Sequence, residues 1–382
     1  MTRPVSRSRS LLFMTVAVVL SLAAGLVLSE CILRLMSPLM VAVFPEGLMR
    51  PALDPAVCYE PDPAWPEHDA RGLRVTGPAT GDGPEGKKML VIGDSIAYGQ
   101  GVAPGQTIAA DMERVLSSCR PEQGWRVLNL GVPGYGIEQV CARLREKGAG
   151  FAPEISVYVF CLNDIVMDAG KVGNFLIANR NNLILPRRSL QNGSLRFLLR
   201  FRLTHRIILL YRKLRFRSSY EALERERLLE ARKPGDPEAV RLIDHFLSGY
   251  RTEDFQGVHW GNASHADYIY YYCMDRYLWR LDFYLGRYAQ ICKENGIAPW
   301  LAIVPLFCRE KGRPYVFRDV HRLVQALAER AGIHVVDLQG MEYGGMAAPL
   351  AQSDCTHPNE LGNEVIARQV LDALGFGECL RR

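Results

Sequence analysis

Strand-like and helix-like segments alternate along residues 87–162, and this alternation most restricts the folds open to the chain. The order strand, helix, strand, helix, strand predicts a parallel sheet covered by helices on both faces. Ligands of such sheets bind at the carboxyl ends of the strands. Apolar, β-branched runs predict the strands at 89–92, 126–130 and 155–162, and apolar residues spaced i, i+3, i+4 predict the helices at 107–117 and 137–147.

The same alternation returns in the C-terminal half of the chain. Helices are predicted at 266–295 and 315–331, strands at 299–306 and 333–338, and a last helix ends at residue 374. Gly296 occupies the usual helix-stop position. With five strands in total, the sequence predicts an α/β protein with a doubly wound, five-stranded parallel sheet.

Residues 168–264 interrupt this pattern and are too many for a connecting loop, so they predict a folded, helical insertion or lid. Its helices are predicted at 195–217, 220–232 and 237–247. Residues 187–217 hold ten Lys or Arg and no Asp or Glu, whereas the whole chain has a net charge of only +5. Contact with anionic lipid or an anionic glycan and an ordinary solvated helix are both compatible with this segment.

Three residues suited to catalysis follow the first three predicted strands: Ser95, Gly134 and Asn163. We expect them to meet because parallel strands present their carboxyl ends at one edge of the sheet. A serine hydroxyl becomes an effective nucleophile when a base, an orienting acid and oxyanion donors surround it. Asp354 and His357 are three residues apart, a spacing that suits an acid and base sharing one turn.

These residues belong to four short blocks that occur in a recognisable order. The blocks resemble those of the SGNH (GDSL-type) hydrolase family, which implies a flavodoxin-like sheet and acyl transfer through serine. The resemblance assigns Ser95 as nucleophile, His357 as base and Asp354 as orienting acid. It also implies an oxyanion hole formed by the backbone N–H groups of Ser95 and Gly134 and the side-chain amide of Asn163. The blocks are Gly93-Asp94-Ser95, residues 129–134, Asn163-Asp164 and residues 354–359.

Each of these residues also has a purely structural interpretation, such as a helix cap or an exposed loop position. Three further acids near predicted strand ends are interpreted as structural: Asp94, Asp164 and Asp337. One departure from the family is that Cys161 and Leu162 precede Asn163, where the family usually has a small residue. Larger side chains there would narrow an acyl pocket and disfavour long-chain substrates.

The N-terminus predicts a membrane anchor. Residues 11–28 are uncharged and long enough to cross a hydrocarbon core once. Arg3, Arg7 and Arg9 precede the run, which orients the N-terminus to the cytoplasm and the remainder outside. A cleaved signal peptide is the main alternative. We therefore predict a cytoplasmic tail and signal anchor at 1–30, a juxtamembrane spacer at 31–86 and a hydrolase domain at 87–375.

The sequence predicts neither a metal nor a cofactor. Ten cysteines contain no C-x-x-C pair, and no dinucleotide or phosphate-binding glycine motif is present. Some cysteines could pair in an oxidising compartment, but the sequence does not give their connectivity. No nucleic-acid-binding motif accompanies the basic segment, so a nucleic-acid partner is not expected.

The first functional hypothesis is a membrane-anchored, extracytoplasmic serine esterase that cleaves small acyl esters, including O-acetyl groups on an envelope polysaccharide. An O-acyltransferase with the same triad is a close alternative, because an acceptor hydroxyl need only replace water. A non-catalytic envelope binding or assembly module is an alternative from a different class. A lipase with the insertion as its lid is a weaker fourth hypothesis.

Overall fold

The computed structural model describes residues 7–36, 48–52, 57, 59–77, 86–166, 170–172, 175–178, 182–184, 232–250, 270–307, 315–343, 350–352 and 356–381. A five-stranded sheet forms the centre of the molecule. Its strands are β3 (Lys88–Gly93), β4 (Arg126–Asn129), β5 (Ile155–Phe160), β9 (Ala298–Ile303) and β10 (His334–Asp337).

The sheet is entirely parallel and its strands lie in the order β10–β9–β5–β3–β4. Counted along the chain this order is 2-1-3-4-5, which is the flavodoxin-like arrangement. The predicted fold class is therefore confirmed. The order reverses between β3 and β5, so the crevice of such a sheet is expected at the carboxyl ends of these two strands.

Burial explains why the central strands read as continuous apolar runs. Successive side chains of a strand point to opposite faces, yet Met89, Leu90, Val91 and Ile92 of β3 are all buried. β5 is buried in the same way. Both faces of the sheet centre are thus covered, as parallel sheets require.

Helices in two groups flank this sheet. α3 (Ile108–Cys119) packs on α8 (Glu360–Leu371), whereas α4 (Ile137–Arg143) packs on α6 (Asp275–Glu294). The second group also includes α5 (Pro237–Gly249) and α7 (Arg318–Arg330). Side-chain caps mark several starts: Thr107 accepts from the Ala110 N–H, and Asn359 from the Gly362 N–H.

Element ends differ from the predicted ones where the backbone changes direction. The predicted helix 137–147 continues past Arg143 as a π-helical turn, Leu144–Gly148. The predicted strand 155–162 ends at Phe160 because a 3₁₀ turn, Leu162–Ile165, follows. The predicted helix 266–295 is regular over Asp275–Glu294, and residues 266–269 lie outside the described part. Gly296 follows the helix in the left-handed region (φ 68°), as predicted.

The insertion is not entirely helical, contrary to our prediction. Three short strands, β6 (Gly170–Val172), β7 (Phe175–Ala178) and β8 (Asn182–Ile184), form an antiparallel sheet at its beginning. Strands of three or four residues are too short to show an alternating pattern in the sequence. The predicted helix 237–247 is present as α5, whereas the basic helix 195–217 and the helix 220–232 fall outside the described residues, apart from residue 232.

The described residues between positions 48 and 77, within the predicted spacer, pack on the domain. β1 (Met49–Pro51) and β2 (Tyr59–Pro61) form an antiparallel pair, and Leu48, Tyr59 and Leu73 are buried. Arg74 makes an antiparallel bridge to Asn129 at the β4 edge of the large sheet. This edge strand is therefore partly covered by the chain that precedes the first sheet strand.

The N-terminal helix α1 spans Arg7–Met36, and its segment Phe13–Ile32 is long and apolar enough to cross a membrane, a criterion that signal sequences also meet. At the other end of the chain, Cys379 forms a disulfide with Cys119 at the end of α3. The bridge joins residues 260 positions apart.

Candidate active site

Ser95 lies directly beyond the end of β3. Gly93 ends this strand with φ 155°, and a Cβ atom there would lie 2.4 Å from the carbonyl oxygen of Val159 on β5. Only glycine fits this close approach. Asp94 then caps the short helix α2 (Ser95–Tyr98) by accepting the Ile96 N–H at 2.8 Å. The capped turn places Ser95 as the first residue of the helix, at the carboxyl edge of the sheet.

His357 lies next to this serine, although 262 residues separate them. Its Nε2 atom is 2.8 Å from Ser95 Oγ, within hydrogen-bond reach. Pro358 is buried, and Asn359 begins α8 as its cap. The structure therefore brings together the predicted nucleophile and the predicted base.

Hydrogen bonds join His357 and Asn359 to residues 350–352. The Gln352 N–H donates to the His357 carbonyl at 2.8 Å, and the Asn359 N–H donates to the Leu350 carbonyl at 3.0 Å. The Gln352 side chain donates from Nε2 to the carbonyls of Gln100 at 2.6 Å and Pro358 at 3.1 Å. Gln352 thus links the histidine loop to the turn that follows Ser95, a role that no sequence motif indicated.

Asp354, the predicted orienting acid, lies outside the described residues. Its contact with the imidazole of His357 remains a prediction.

Asn163 meets the same cluster through Asp94. The Asp94 Oδ2 atom lies 3.3 Å from Ser95 Oγ and 3.3 Å from Asn163 Nδ2. An amide nitrogen carries two N–H groups, so one serves Asp94 and the second can donate to a substrate oxygen. Asn163 follows β5 and Ser95 follows β3, so the two side chains flank the point where the strand order reverses.

Burial makes the ionised form of Asp94 unfavourable. Its side chain is 1% exposed, and desolvation raises the pKa of its carboxyl above the ordinary value. Hydrogen bonds from the Ile96 N–H and from the Asn163 and Ser95 side chains, together with the nearby His357, act in the opposite direction. The sequence suggested a structural role for Asp94, and the structure adds direct contacts with Ser95 and Asn163.

Gly134 occupies a tight turn beside the end of β3. The Tyr135 N–H donates to the Val132 carbonyl at 3.2 Å, and Gly134 has φ 80°. With Pro133 before it, this is the pattern of a type II turn, in which the third residue requires positive φ. The Val132 N–H donates to the Gly93 carbonyl at 3.0 Å, which holds the turn next to the Ser95 segment.

These groups suit nucleophilic acyl transfer. A hydroxyl bonded to an imidazole supplies the nucleophile and its base, and the Asn163 amide and the Gly134 turn can supply donors for a developing oxyanion. The first N–H groups of a helix lack intrahelical acceptors, which makes the Ser95 N–H available as a third donor.

One group of side chains within the described ranges has the spacing of metal ligands, and it lies away from this cluster in sequence. It consists of Cys119, Glu378 and Cys379. Because the two sulfur atoms are joined in the disulfide, they are not available as thiolate ligands.

No protein-family model and no curated protein sequence matches the chain. Among solved structures, it is similar to LAE5, described as an α/β hydrolase enzyme from the metagenome of Lake Arreo, at 18% identity and a TM-score of 0.40, covering 76% of this chain and 96% of LAE5. It is also similar to TesA, at 15% identity and a TM-score of 0.39, covering 75% of this chain and 98% of TesA.

A third similar structure is Axe2, an acetylxylan esterase from Geobacillus stearothermophilus, at 16% identity and a TM-score of 0.38, covering 76% of this chain and 96% of Axe2.

Proposed function

We propose that the chain is a serine esterase of the SGNH type that hydrolyses small acyl esters through an acyl-serine intermediate. The single observation that supports this most strongly is the 2.8 Å contact between Ser95 Oγ and His357 Nε2 at the carboxyl edge of the sheet. Asn163, held 3.3 Å from the same Asp94 oxygen that Ser95 contacts, adds an oxyanion donor beside the nucleophile.

In the proposed reaction, Ser95 Oγ forms a bond to the ester carbonyl carbon while its proton passes to His357 Nε2. The carbonyl electrons move onto the oxygen, which the Asn163 amide and the backbone N–H groups of Gly134 and Ser95 stabilise. The C–O bond to the alcohol then breaks, and the alcohol leaves with the proton from His357. Water repeats the sequence on the acyl-serine and releases the carboxylic acid. Asp354 is assigned to orient the imidazole.

We infer the substrate class from two features: the residues that precede Asn163 and the proposed location of the domain outside the cytoplasm. Cys161 and Leu162, both buried, stand where the SGNH family has small residues before the asparagine, which favours a short acyl group. A short acyl group and a domain placed outside the cytoplasm together favour O-acetyl groups on an envelope polysaccharide as the substrate class.

We place the domain outside the cytoplasm, anchored by a single span. The apolar segment Phe13–Ile32 of α1 follows three arginines, Arg3, Arg7 and Arg9, and cytoplasmic flanks of membrane helices carry such an excess of positive charge. The Cys119–Cys379 disulfide adds independent support, because disulfides persist mainly in oxidising compartments.

The test compares full-length protein in detergent micelles with its Ser95→Ala variant on p-nitrophenyl acetate. Ser118→Ala is the matched control, because Ser118 is exposed and its hydroxyl only donates to the Arg114 carbonyl within α3. We expect hydrolysis to be lost in Ser95→Ala and unchanged in Ser118→Ala. Equal rates for Ser95→Ala and wild type would exclude the proposed function. Acetyl transfer to an added polysaccharide, instead of release of acetate, would assign the acyltransferase alternative.

A further inference from the structure

Tyr59 lies against the turn that contains Gly134. It belongs to β2, in the segment that precedes the sheet, and its side chain is fully buried. Its hydroxyl donates to the Pro133 carbonyl at 2.6 Å, across 74 residues of sequence.

Tyr135 completes a reciprocal arrangement with Tyr59. The Tyr135 hydroxyl donates to the backbone carbonyl of Tyr59, and the two rings pack edge to face with centroids 5.3 Å apart. The geometry of β2 is thereby fixed relative to the turn, so the Tyr59 hydroxyl has little freedom to leave Pro133.

The hydrogen bond acts on one particular peptide unit. The Pro133 carbonyl and the Gly134 N–H belong to the same peptide, which is planar and trans, so the two groups point in opposite directions. Holding the carbonyl oxygen therefore also fixes the direction of the N–H. This unit is the central peptide of the type II turn, whose rotation would convert the turn to another type and redirect the N–H.

We propose that Tyr59 is a positioning residue for the oxyanion hole: its hydroxyl holds the Pro133–Gly134 peptide so that the Gly134 N–H faces the substrate oxygen. This inference rests on the proposed esterase function and deepens it. It also makes part of residues 48–77, between the N-terminal helix and the sheet, necessary for full activity.

The expected consequence is a selective loss of rate. Without the Tyr59 hydroxyl the peptide samples orientations in which the Gly134 N–H does not reach the oxyanion, so kcat falls while ground-state binding is retained. Loss of one buried hydrogen bond corresponds to a decrease in kcat of about tenfold, with KM changed by less than about twofold.

The experiment compares Tyr59→Phe with a control that loses an equivalent hydroxyl elsewhere. Tyr288 is also fully buried, and its hydroxyl donates to the Ser156 carbonyl at 2.9 Å, within the core between α6 and β5. Full-length wild type, Tyr59→Phe and Tyr288→Phe are assayed in micelles with p-nitrophenyl acetate, and rates are normalised to the folded fraction from size-exclusion chromatography. Binding of phenylboronic acid, which forms a tetrahedral adduct with an active serine, is measured in parallel.

We expect Tyr59→Phe to lower kcat and phenylboronic acid affinity by the same factor, and Tyr288→Phe to leave both unchanged. If Tyr59→Phe fails to fold, Tyr135→Phe serves as the second variant, with a decrease in kcat of about threefold expected from the loosened pair. A wild-type kcat in both Tyr59→Phe and Tyr135→Phe, or a decrease in Tyr288→Phe equal to that in Tyr59→Phe, overturns the positioning role of Tyr59 but leaves the esterase proposal in place. Wild-type hydrolysis that does not depend on Ser95 overturns the esterase proposal and this inference with it.

Discussion

Three histidines in the described part of the chain hydrogen-bond to a hydroxyl group, and His68, which bonds Tyr98, is one of them. The other two, His357 and His321, belong to clusters of different kinds, and only the His357 cluster has the setting of an active site. His357 Nε2 lies 2.8 Å from Ser95 Oγ. His321 Nε2 lies 3.0 Å from the Tyr315 hydroxyl, and its Nδ1 lies 2.7 Å from Asp337 Oδ1, so Asp337, His321 and Tyr315 have the connectivity of a catalytic triad.

The surroundings of the two clusters differ. His321 is fully buried, and the Tyr315 hydroxyl also accepts the Leu306 N–H at 3.1 Å. This cluster joins α7 to the ends of β9 and β10, and its hydrogen bonds are made within the protein. The Ser95 hydroxyl instead lies at the switch point of the sheet, beside the Asn163 amide and the Gly134 turn. Acid–histidine–hydroxyl connectivity therefore does not identify a site without a position for the reacting carbonyl and donors for its oxygen.

The largest expected effect separates the two histidines. His357→Ala removes the proposed base, so we expect kcat for p-nitrophenyl acetate to fall by at least about a thousandfold. His321→Ala removes the imidazole that hydrogen-bonds both Asp337 and the Tyr315 hydroxyl, so we expect a lower melting temperature and unchanged kcat per folded molecule. Steady-state kinetics and circular dichroism melting check both. A large loss of kcat in folded His321→Ala protein would reverse the assignment of the two clusters.

The next effect concerns the donor that distinguishes the Ser95 cluster. Asn163→Ala removes the carboxamide proposed to stabilise the oxyanion, so we expect kcat to decrease by about 100- to 1000-fold with little change in KM. Asn295→Ala is the control, because Asn295 only caps α6 through the Ile291 carbonyl. A change in KM with an unaltered kcat would place Asn163 in substrate binding instead.

A smaller effect is expected in the His321 cluster. Tyr315→Phe removes the hydroxyl that bonds His321 and the Leu306 N–H, which should lower the free energy of unfolding by about 1–3 kcal/mol. We expect no change in kcat, because this hydroxyl does not contact the Ser95 cluster among the described residues. Urea titration and the ester assay measure the two quantities, and an intact stability with reduced kcat would connect the clusters functionally.

The smallest effect is a pH dependence specific to Asp94. Because burial raises the folded-state pKa of this carboxyl, the folded protein holds the proton more tightly than the unfolded chain. Its contribution to stability is thus fully present below the ordinary value of 3.8 and is lost as pH rises through the folded pKa. Asp94→Asn cannot ionise and lacks this dependence.

Relative to Asp94→Asn, wild-type stability should therefore fall as pH rises from 4 toward neutrality, with a slope of at most about 1.4 kcal/mol per pH unit. Urea unfolding of both proteins across this range measures the difference. A difference independent of pH would show that Asp94 has no raised pKa in the folded protein.

The sheet was predictable because its central strands are covered on both faces. Met89–Ile92 and the β5 residues had to be apolar without interruption, so the sequence marks them directly. Ser95, Gly134 and Asn163 were also predictable, since parallel topology brings the residues after β3, β4 and β5 to one edge. Ser95 and His357 are 262 residues apart, so their contact could be predicted only with the help of the ordered motif blocks.

Other features of the molecule could not be predicted, because no sequence pattern indicates them. Tyr59 lies in a proline-rich segment, where a single aromatic residue has no periodic neighbours to indicate its burial. Gln352 acts through a long side chain that reaches backbone carbonyls, a contact available to many residue types. Pairing of Cys119 with Cys379 depends on the packing of α3 against the C-terminal turn, and ten cysteines allow many other connectivities.

The most direct measurement of the central claim is covalent labelling of the full-length protein with a fluorophosphonate probe, followed by mass-spectrometric mapping of the modified residue. If His357 activates Ser95, the label maps to Ser95, is absent in Ser95→Ala, forms at least about 100-fold more slowly in His357→Ala, and forms normally in folded His321→Ala. Absence of label on Ser95 in the wild type, or equal labelling rates with and without His357, would contradict the assignment of Ser95 and His357 as nucleophile and base.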